Sequence, residues 1–458
     1  MRILTVVHDL GPGGTQRAAQ NYTLGYQAAG LEVAVLAYEA GGPREAELQT
    51  AGVPVFSPAT EGSPEAAVCA AGAWGADLVH VHRNGGADAR SGAVLRALRR
   101  AGGRPRVMET NVFGRVDRSP DRHLFDVHLH LSRWCLWRWS RWRRRMEGAP
   151  GVVVPYSIDT ARFYPATPEE QRAARAAWDV PQDALVFGRV GQPSRWKWHP
   201  ALFGAFARVA AEHTQAWLFL VGLPEELRPP LERLPAAARR RVRELPFLHG
   251  DAALRAGYAC MDVFVHAAEI GESFGMVLAE AMRCGRPVIT LSRPARDNSQ
   301  LEVVGHGEGG LVAAHERGLA EAMALLASQP HQRERLGRQA AARTAERFGQ
   351  EPVMRLLLAV ARATHEARDA ADVRRRLGGI PGLVTGVADD DAWNLLDRKL
   401  GRTPLAELAQ MRLAHEPALH AAVARLKQWR YRTWRHPEPA AVPGGAAAPP
   451  PGPASART

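Results

Sequence analysis

The sequence predicts an α/β protein built on parallel sheets, in two domains with extra C-terminal helices. Three observations predict it. The length, 458 residues, is enough for two domains with additions. Residues 2–38 run as apolar strand, glycine-bearing loop, helix and second strand, a Rossmann-like opening. Residues 262–290 read as strand, loop, helix and strand, the helix stopping at Cys284-Gly285 before Pro287.

Composition narrows the class. Hydrophobic residues make up 46% of the chain, which suits a globular protein. No apolar run approaches the roughly 18 residues that span a bilayer. The opening MRILTVVHDL turns polar too soon for a signal peptide, so a cytoplasmic protein is expected. The four cysteines, Cys69, Cys135, Cys260 and Cys284, are isolated, and neither a disulfide framework nor a metal site is expected. The net charge of +12 predicts attraction to nucleotide-sugars, phospholipid surfaces or nucleic acid. Only three of the 59 basic residues are lysine: Lys197, Lys399 and Lys427.

In chain order, residues 2–7 form a buried strand, and Gly13-Gly14 follows it ahead of a helix that runs to Gly30. The spacing is not that of a dinucleotide fingerprint. The glycine pair lets backbone approach a ligand at a helix N-terminus, or it is a simple connecting turn. Residues 53–56 and 76–82 are further strands. His80 and His82 share one face, and His82 at the C-terminal edge is a candidate for the cleft. Residues 105–114 are a strand and loop carrying Glu109, Thr110 and Asn111. Residues 126–132 alternate like a strand.

Residues 133–146 then read as an amphipathic helix rich in Trp and Arg. Such a helix packs on a core with a solvated basic face, lies on an anionic membrane surface, or stacks on single-stranded nucleic acid. Of the two ligand surfaces the membrane is retained and nucleic acid is not expected. Residues 185–190 and 216–222 are buried strands, with Lys197 in the loop between them. Residues 239–243 read as a basic helix end and 245–250 as a short strand and loop. Helices are expected over 320–327, 332–348 and 352–367.

The stretch 271–290, GESFGMVLAEAMRCGRPVIT, holds Glu272 and Glu280 with seven residues between them. With Ser273-Phe274-Gly275, Ala281-Met282, Gly285 and Pro287-Val288, it resembles the signature of family 4 retaining glycosyltransferases. Those enzymes have the GT-B fold, two Rossmann-like domains facing across a cleft. The resemblance covers roughly residues 1–367. It implies an acceptor-side domain over 1–165, a donor domain over 166–350 and a crossing helix over 351–369. A helical extension over 370–436 and a disordered Pro/Ala/Gly tail over 437–458 lie outside it.

The resemblance also implies a chemistry. A nucleotide-diphospho-sugar would donate to a carbohydrate or lipid-linked acceptor, with no metal and no cofactor. Glu272 would orient the donor sugar and Glu280 hold the ribose. Backbone N–H groups of Phe274, Gly275, Met276 and Val277, beside Ser273, would meet sugar and phosphate. Arg189 and Lys197, with Arg195 sharing the task, would neutralise the diphosphate. Gly13 and Gly14 would close over donor or acceptor, and Phe247 lies in the stretch that meets the base. The family commonly places a histidine near position 109–111; here Asn111 is the candidate to meet a sugar hydroxyl. Rival expectations are a GT-B phosphorylase or nucleotide-sugar epimerase, or a noncatalytic carbohydrate-binding protein at a membrane. The location expected is cytoplasmic, peripheral to the inner face of the membrane.

Overall fold

The computed structural model describes residues 1–100, 104–144 and 146–422. Residues 423–458, which include the expected tail, the end of the extension and Lys427, lie outside them, as does Arg145.

Seven strands form the first sheet: β1 (Arg2–Val7), β2 (Glu32–Ala37), β3 (Val55–Phe56), β4 (Leu78–Arg83), β5 (Arg106–Asn111), β6 (Val127–His130) and β7 (Gly151–Val153). Their order is β3-β2-β1-β4-β5-β6-β7, and every pairing is parallel. Helices cover both faces, so the strands bury nearly unbroken apolar runs such as Ile3–Val7, in which only Thr5 is polar. The second sheet uses β8 (Leu185–Val190), β9 (Ala216–Val221), β10 (Val242–Leu245), β11 (Val263–His266), β13 (Val288–Leu291) and β15 (Gly310–Ala313), in the order β10-β9-β8-β11-β13-β15. Between β11 and β15 a separate two-stranded ribbon pairs β12 (Gly271–Glu272) with β14 (Asp297–Asn298).

The strand near residue 245 sits earlier than the sequence suggested. Its start takes in Val242 and Arg243, residues that read as a helix end. Arg241 just before it donates to the carbonyls of Ala210 at 2.7 Å and Thr214 at 2.6 Å, closing the end of the helix Ala201–Glu212. The basic run is thus the end of the helix Ala236–Arg239, then a cap and an edge strand.

The chain returns to its first half through the helix Gln350–His365, which packs on the helix Gly14–Ala28 and on β5. Contact is close: a Cβ at Gly25 would lie 2.5 Å from Met354 Sδ. The helices Ala370–Gly378, Asp389–Asp397 and Leu405–Ala414 follow. Their connections cover the outer edges of both sheets. Val153 of β7 donates to Val384 at 2.9 Å, and Leu400 donates to Val312 of β15 at 2.7 Å. An open strand edge presents unpaired N–H and C=O groups, and the extension satisfies part of each row.

Candidate active site

β11 and the ribbon place Glu272. Gly271 has φ +67°, and a Cβ there would fall 1.6 Å from the Asp297 carbonyl oxygen, so only glycine lets the ribbon close. The Glu272 carboxylate accepts from Lys197 Nζ at 2.9 Å and lies 3.1 Å from His266 Nε2. Burial pushes this carboxyl up, but Lys197 and His266 outweigh it and hold it well below the usual range. Burial and the Arg189 charge hold His266 at about 4, so it is neutral near pH 7.

Arg189 ends β8 with its side chain fully buried. It donates to the carbonyls of Val190 and Lys197, each at 2.5 Å, and stacks on Trp198 at 5.0 Å. Among the described residues no carboxylate lies within 4 Å of it. Burial lowers its pKa to about 10, opposed in part by Glu272, so it remains a cation. A buried guanidinium without an ion pair is costly, and an incoming anion would relieve that cost.

The helix Met276–Arg283 starts at Gly275, whose φ of +86° turns the backbone into it. No side chain caps this end, leaving first-turn N–H groups without intrahelical acceptors. One turn in, Glu280 accepts from Tyr258 Oη at 2.8 Å and from Arg17 at 3.0 Å. Arg17 comes from the first half of the chain and also pairs with Asp251. A cation in the first turn of a helix opposes the helix dipole, which was the one sequence sign that Arg17 has a partner elsewhere.

These groups line one cavity of about 440 Å³ between the two sheets. From the second half come Arg189, Lys197, Phe247, Glu272, Ser273, Phe274, Gly275, Met276, Val277 and Glu280. The facing wall includes Gly13, Gly14, Val112, Phe113, Leu131 and Tyr156, with Thr15, Gln16 and Arg17 at the start of the helix Gly14–Ala28. A Cβ on Gly14 would lie 3.5 Å from Met276, so the two walls nearly touch there. Ser273 is held in place by Asp297 at 3.1 Å. Sequence reasoning did not single out Arg17, Tyr156, Tyr258 or His266; apart from Arg17's place in the first turn of a helix, nothing in their local pattern marks them.

Three expected residues are not in the cavity. His82 is buried beneath the helix Gly14–Ala28, 5.7 Å from the Tyr22 ring, because the face it shares with His80 points into that layer. Asn111 spends its amide on Arg115, donating to its carbonyl at 2.8 Å and accepting from its N–H at 3.1 Å. It shapes the loop that presents Val112 and Phe113. Arg195 is exposed and stacks on Trp196.

The Trp/Arg helix, Arg133–Trp142, is also not free for a membrane. Trp134, Trp137, Trp139 and Arg138 are all buried. Arg138 pairs with Asp297 at 2.6 Å, and Trp137 donates to Asp389 at 2.7 Å. Trp142 donates to the Ala414 carbonyl at 3.1 Å. The rings that would enter a bilayer are covered by the extension and the ribbon. No helix of the described residues is long and apolar enough to cross a membrane.

Residues 181–329 match the family model described as Glycosyl transferases group 1. Over these residues the chain is similar to that family. Among curated proteins, this chain is 34% identical over 148 residues to the D-inositol 3-phosphate glycosyltransferase of Geodermatophilus obscurus, covering 30% of this chain and 32% of that one. It is 32% identical over 219 residues to D-inositol 3-phosphate glycosyltransferase 2 of Catenulispora acidiphila, covering 45% and 49%. The matched part thus spans a third to a half of these relatives. Among solved structures, HepE of Anabaena in complex with UDP and glucose superposes with a TM-score of 0.61 at 20% identity, over 78% of this chain and 98% of that one. The architecture is GT-B. The matched residues hold Arg189, Lys197, Glu272 and Glu280, and the first half of the chain supplies the facing wall.

Proposed function

We propose that the protein is a retaining glycosyltransferase, moving a hexose from a nucleotide-diphospho-sugar to a carbohydrate or lipid-linked acceptor without a metal. The observation that carries this reading is Arg189, a buried cation with no acid partner, facing the same cavity as the Lys197–Glu272 pair and an uncapped helix N-terminus. Such a site stabilises negative charge that develops in the cavity. The group 1 match, the relatives named as glycosyltransferases and the UDP bound in HepE support it.

In this mechanism the diphosphate lies against the helix N-terminus, Arg189 and Lys197. As the C1–O bond breaks, both cations balance the charge gathering on the leaving phosphate. Glu272, ionised and fixed, accepts hydrogen bonds from the donor sugar. Glu280 keeps one lone pair on each oxygen beyond those used by Arg17 and Tyr258, enough to accept from a ribose diol. The acceptor enters over Val112, Phe113 and Tyr156 and attacks from the face the leaving group vacates, passing its proton to the donor phosphate.

The test is incubation with UDP- and GDP-sugars, with and without sugar and lipid-linked acceptors, in the presence of a chelator. NMR then reads the anomeric configuration of the product. Transfer with retention is expected. An inverted linkage would remove the retaining mechanism, activity lost to chelation the metal-free one, and epimerised nucleotide-sugar formed without acceptor the transferase reading itself.

A further inference from the structure

The Arg-rich segment after the Trp helix holds a feature that the donor cleft does not use. Arg143 donates to the carbonyls of Ala149 at 2.6 Å and Met146 at 3.3 Å, and stacks on Trp139 at 4.2 Å. Arg374, from the extension, donates to the Gly148 carbonyl at 2.5 Å. One short loop thus holds two guanidinium groups side by side. Arg144 lines the same space. No carboxylate lies within 4 Å of any of the three among the described residues. Burial first, and then the neighbouring Arg374 charge, lower the Arg143 pKa. Glu147 on the same loop lines an adjoining cavity that Arg143 also borders, and it makes no ion pair with Arg143.

The cavity these arginines line has about 520 Å³, room for more than a lone ion. It opens where residues 148–152 run into the start of β7, and it shares no lining residue with the donor cleft. Arg374 and Thr385 belong to the extension, beyond the stretch that resembles the glycosyltransferase family.

We propose that this cavity is an oxyanion site, taking a phosphate or sulfate group carried on a larger molecule, apart from the donor cleft. Two anchored guanidinium forks match the paired oxygens of such a group, and an anion between them removes their repulsion. Their anchoring to backbone carbonyls keeps the forks in place before the ligand arrives.

Calorimetric titration of the full chain with inorganic phosphate tests this. Wild type should bind, and Arg374→Gln and Arg143→Gln should each weaken binding roughly tenfold or more. Lys197→Gln should remove only the phosphate that binds in the donor cleft and leave the Arg374-dependent binding in place. Arg374 is exposed, so its variant should keep the wild-type melting curve, and Arg374→Lys should recover part of the affinity. Flotation on phosphatidylcholine vesicles with and without phosphatidic acid separates the sources. Flotation that needs both phosphatidic acid and Arg374 assigns a lipid phosphate. Arg374-dependent phosphate binding without flotation assigns a soluble phosphorylated molecule. Phosphate binding that follows Lys197 and not Arg374 overturns the proposal, as does failure to bind either probe.

Discussion

The two walls of the cleft are built from different materials. The second-half wall carries fixed charge: Arg189, Lys197, Glu272 and Glu280, each with named partners. The first-half wall is mostly glycine backbone and uncharged side chains, among them Gly13, Gly14, Val112, Phe113, Leu131 and Tyr156; its one charge, Arg17, is spent on Glu280 and Asp251. In the proposed reaction the charged wall stabilises a leaving diphosphate, and the apolar wall shapes the space for whatever attacks. The same contrast explains why chemistry is concentrated on one side. A charge must be held rigidly to act on a developing charge, whereas shape can be supplied by backbone and hydrocarbon.

Lys197→Ala tests this division most strongly. It removes a cation from the leaving group and leaves the buried Glu272 carboxylate with His266 as its nearest neighbour. A fall in kcat/KM of about 10²–10³ is expected. Phe113→Ala, across the cleft, should instead raise the acceptor KM several-fold while leaving the donor KM unchanged. Equal losses in both variants, on the same parameter, would abolish the distinction between the walls.

Acid separates the two halves by stability. His80, His82 and His130 are buried beneath the first sheet's layers, and His266 is their counterpart in the second half. Burial holds His80 at about 3 and His266 at about 4 and keeps His82 and His130 well below the usual value. Each group binds a proton more readily when unfolded. Its contribution is therefore complete above about pH 6.5 and is lost as pH falls toward 4, at up to about 1.4 kcal/mol per pH unit for each group. The melting temperature should drop steadily from pH 6.5 to 4.5. His130→Phe should flatten that slope, and a slope unchanged by it would show that the acid response lies elsewhere.

Arg189→Met distinguishes function from stability within the charged wall. Its side chain is buried without an ion pair, so replacing it with an apolar one of similar length removes a desolvation cost along with two hydrogen bonds to carbonyls. Nucleotide affinity should fall roughly tenfold, the scale of one charge-assisted contact. The melting temperature should move far less than in Glu272→Gln, which strips Lys197 of its partner. A large loss of stability in Arg189→Met would make the residue a structural strut.

The sequence pointed to more of the charged wall than of the facing one, where it singled out only Gly13-Gly14, for a physical reason. Glu272, Glu280 and the glycine turn between them lie within one short stretch, where spacing along a helix fixes spacing in space. The facing wall depends on strand faces and loops whose partners are distant in sequence. His82 was misplaced because period-two alternation gives a face but not which layer covers it. Asn111 was misplaced because its amide serves its own loop. The Trp helix gives the widest gap between pattern and structure. An amphipathic pattern says that one side must be covered, and a bilayer and a packed helix satisfy it equally. The cover here comes from Asp389 and Ala414, some 250 residues on. Arg17 joins Glu280 across 263 residues, a pairing that no local motif announces.

The smallest test compares one glycine from each wall. Gly275 sits at φ +86°, and its Cβ would lie 2.6 Å from Leu278 and 3.3 Å from Glu272 Cγ. Gly275→Ala should cost about 1–2 kcal/mol in stability, from the left-handed backbone, and should displace the first turn that faces the donor. Gly14 has no such backbone demand, and its Cβ would meet Met276 at an ordinary 3.5 Å. Gly14→Ala should leave stability unchanged and alter the donor KM by less than about threefold, as for a surface change within ±0.5 kcal/mol. If Gly14→Ala is as damaging as Gly275→Ala, the walls must come closer during turnover than they lie here. Gly13-Gly14 would then be a moving part of the site, and the apolar wall would share in the positioning assigned to the charged one.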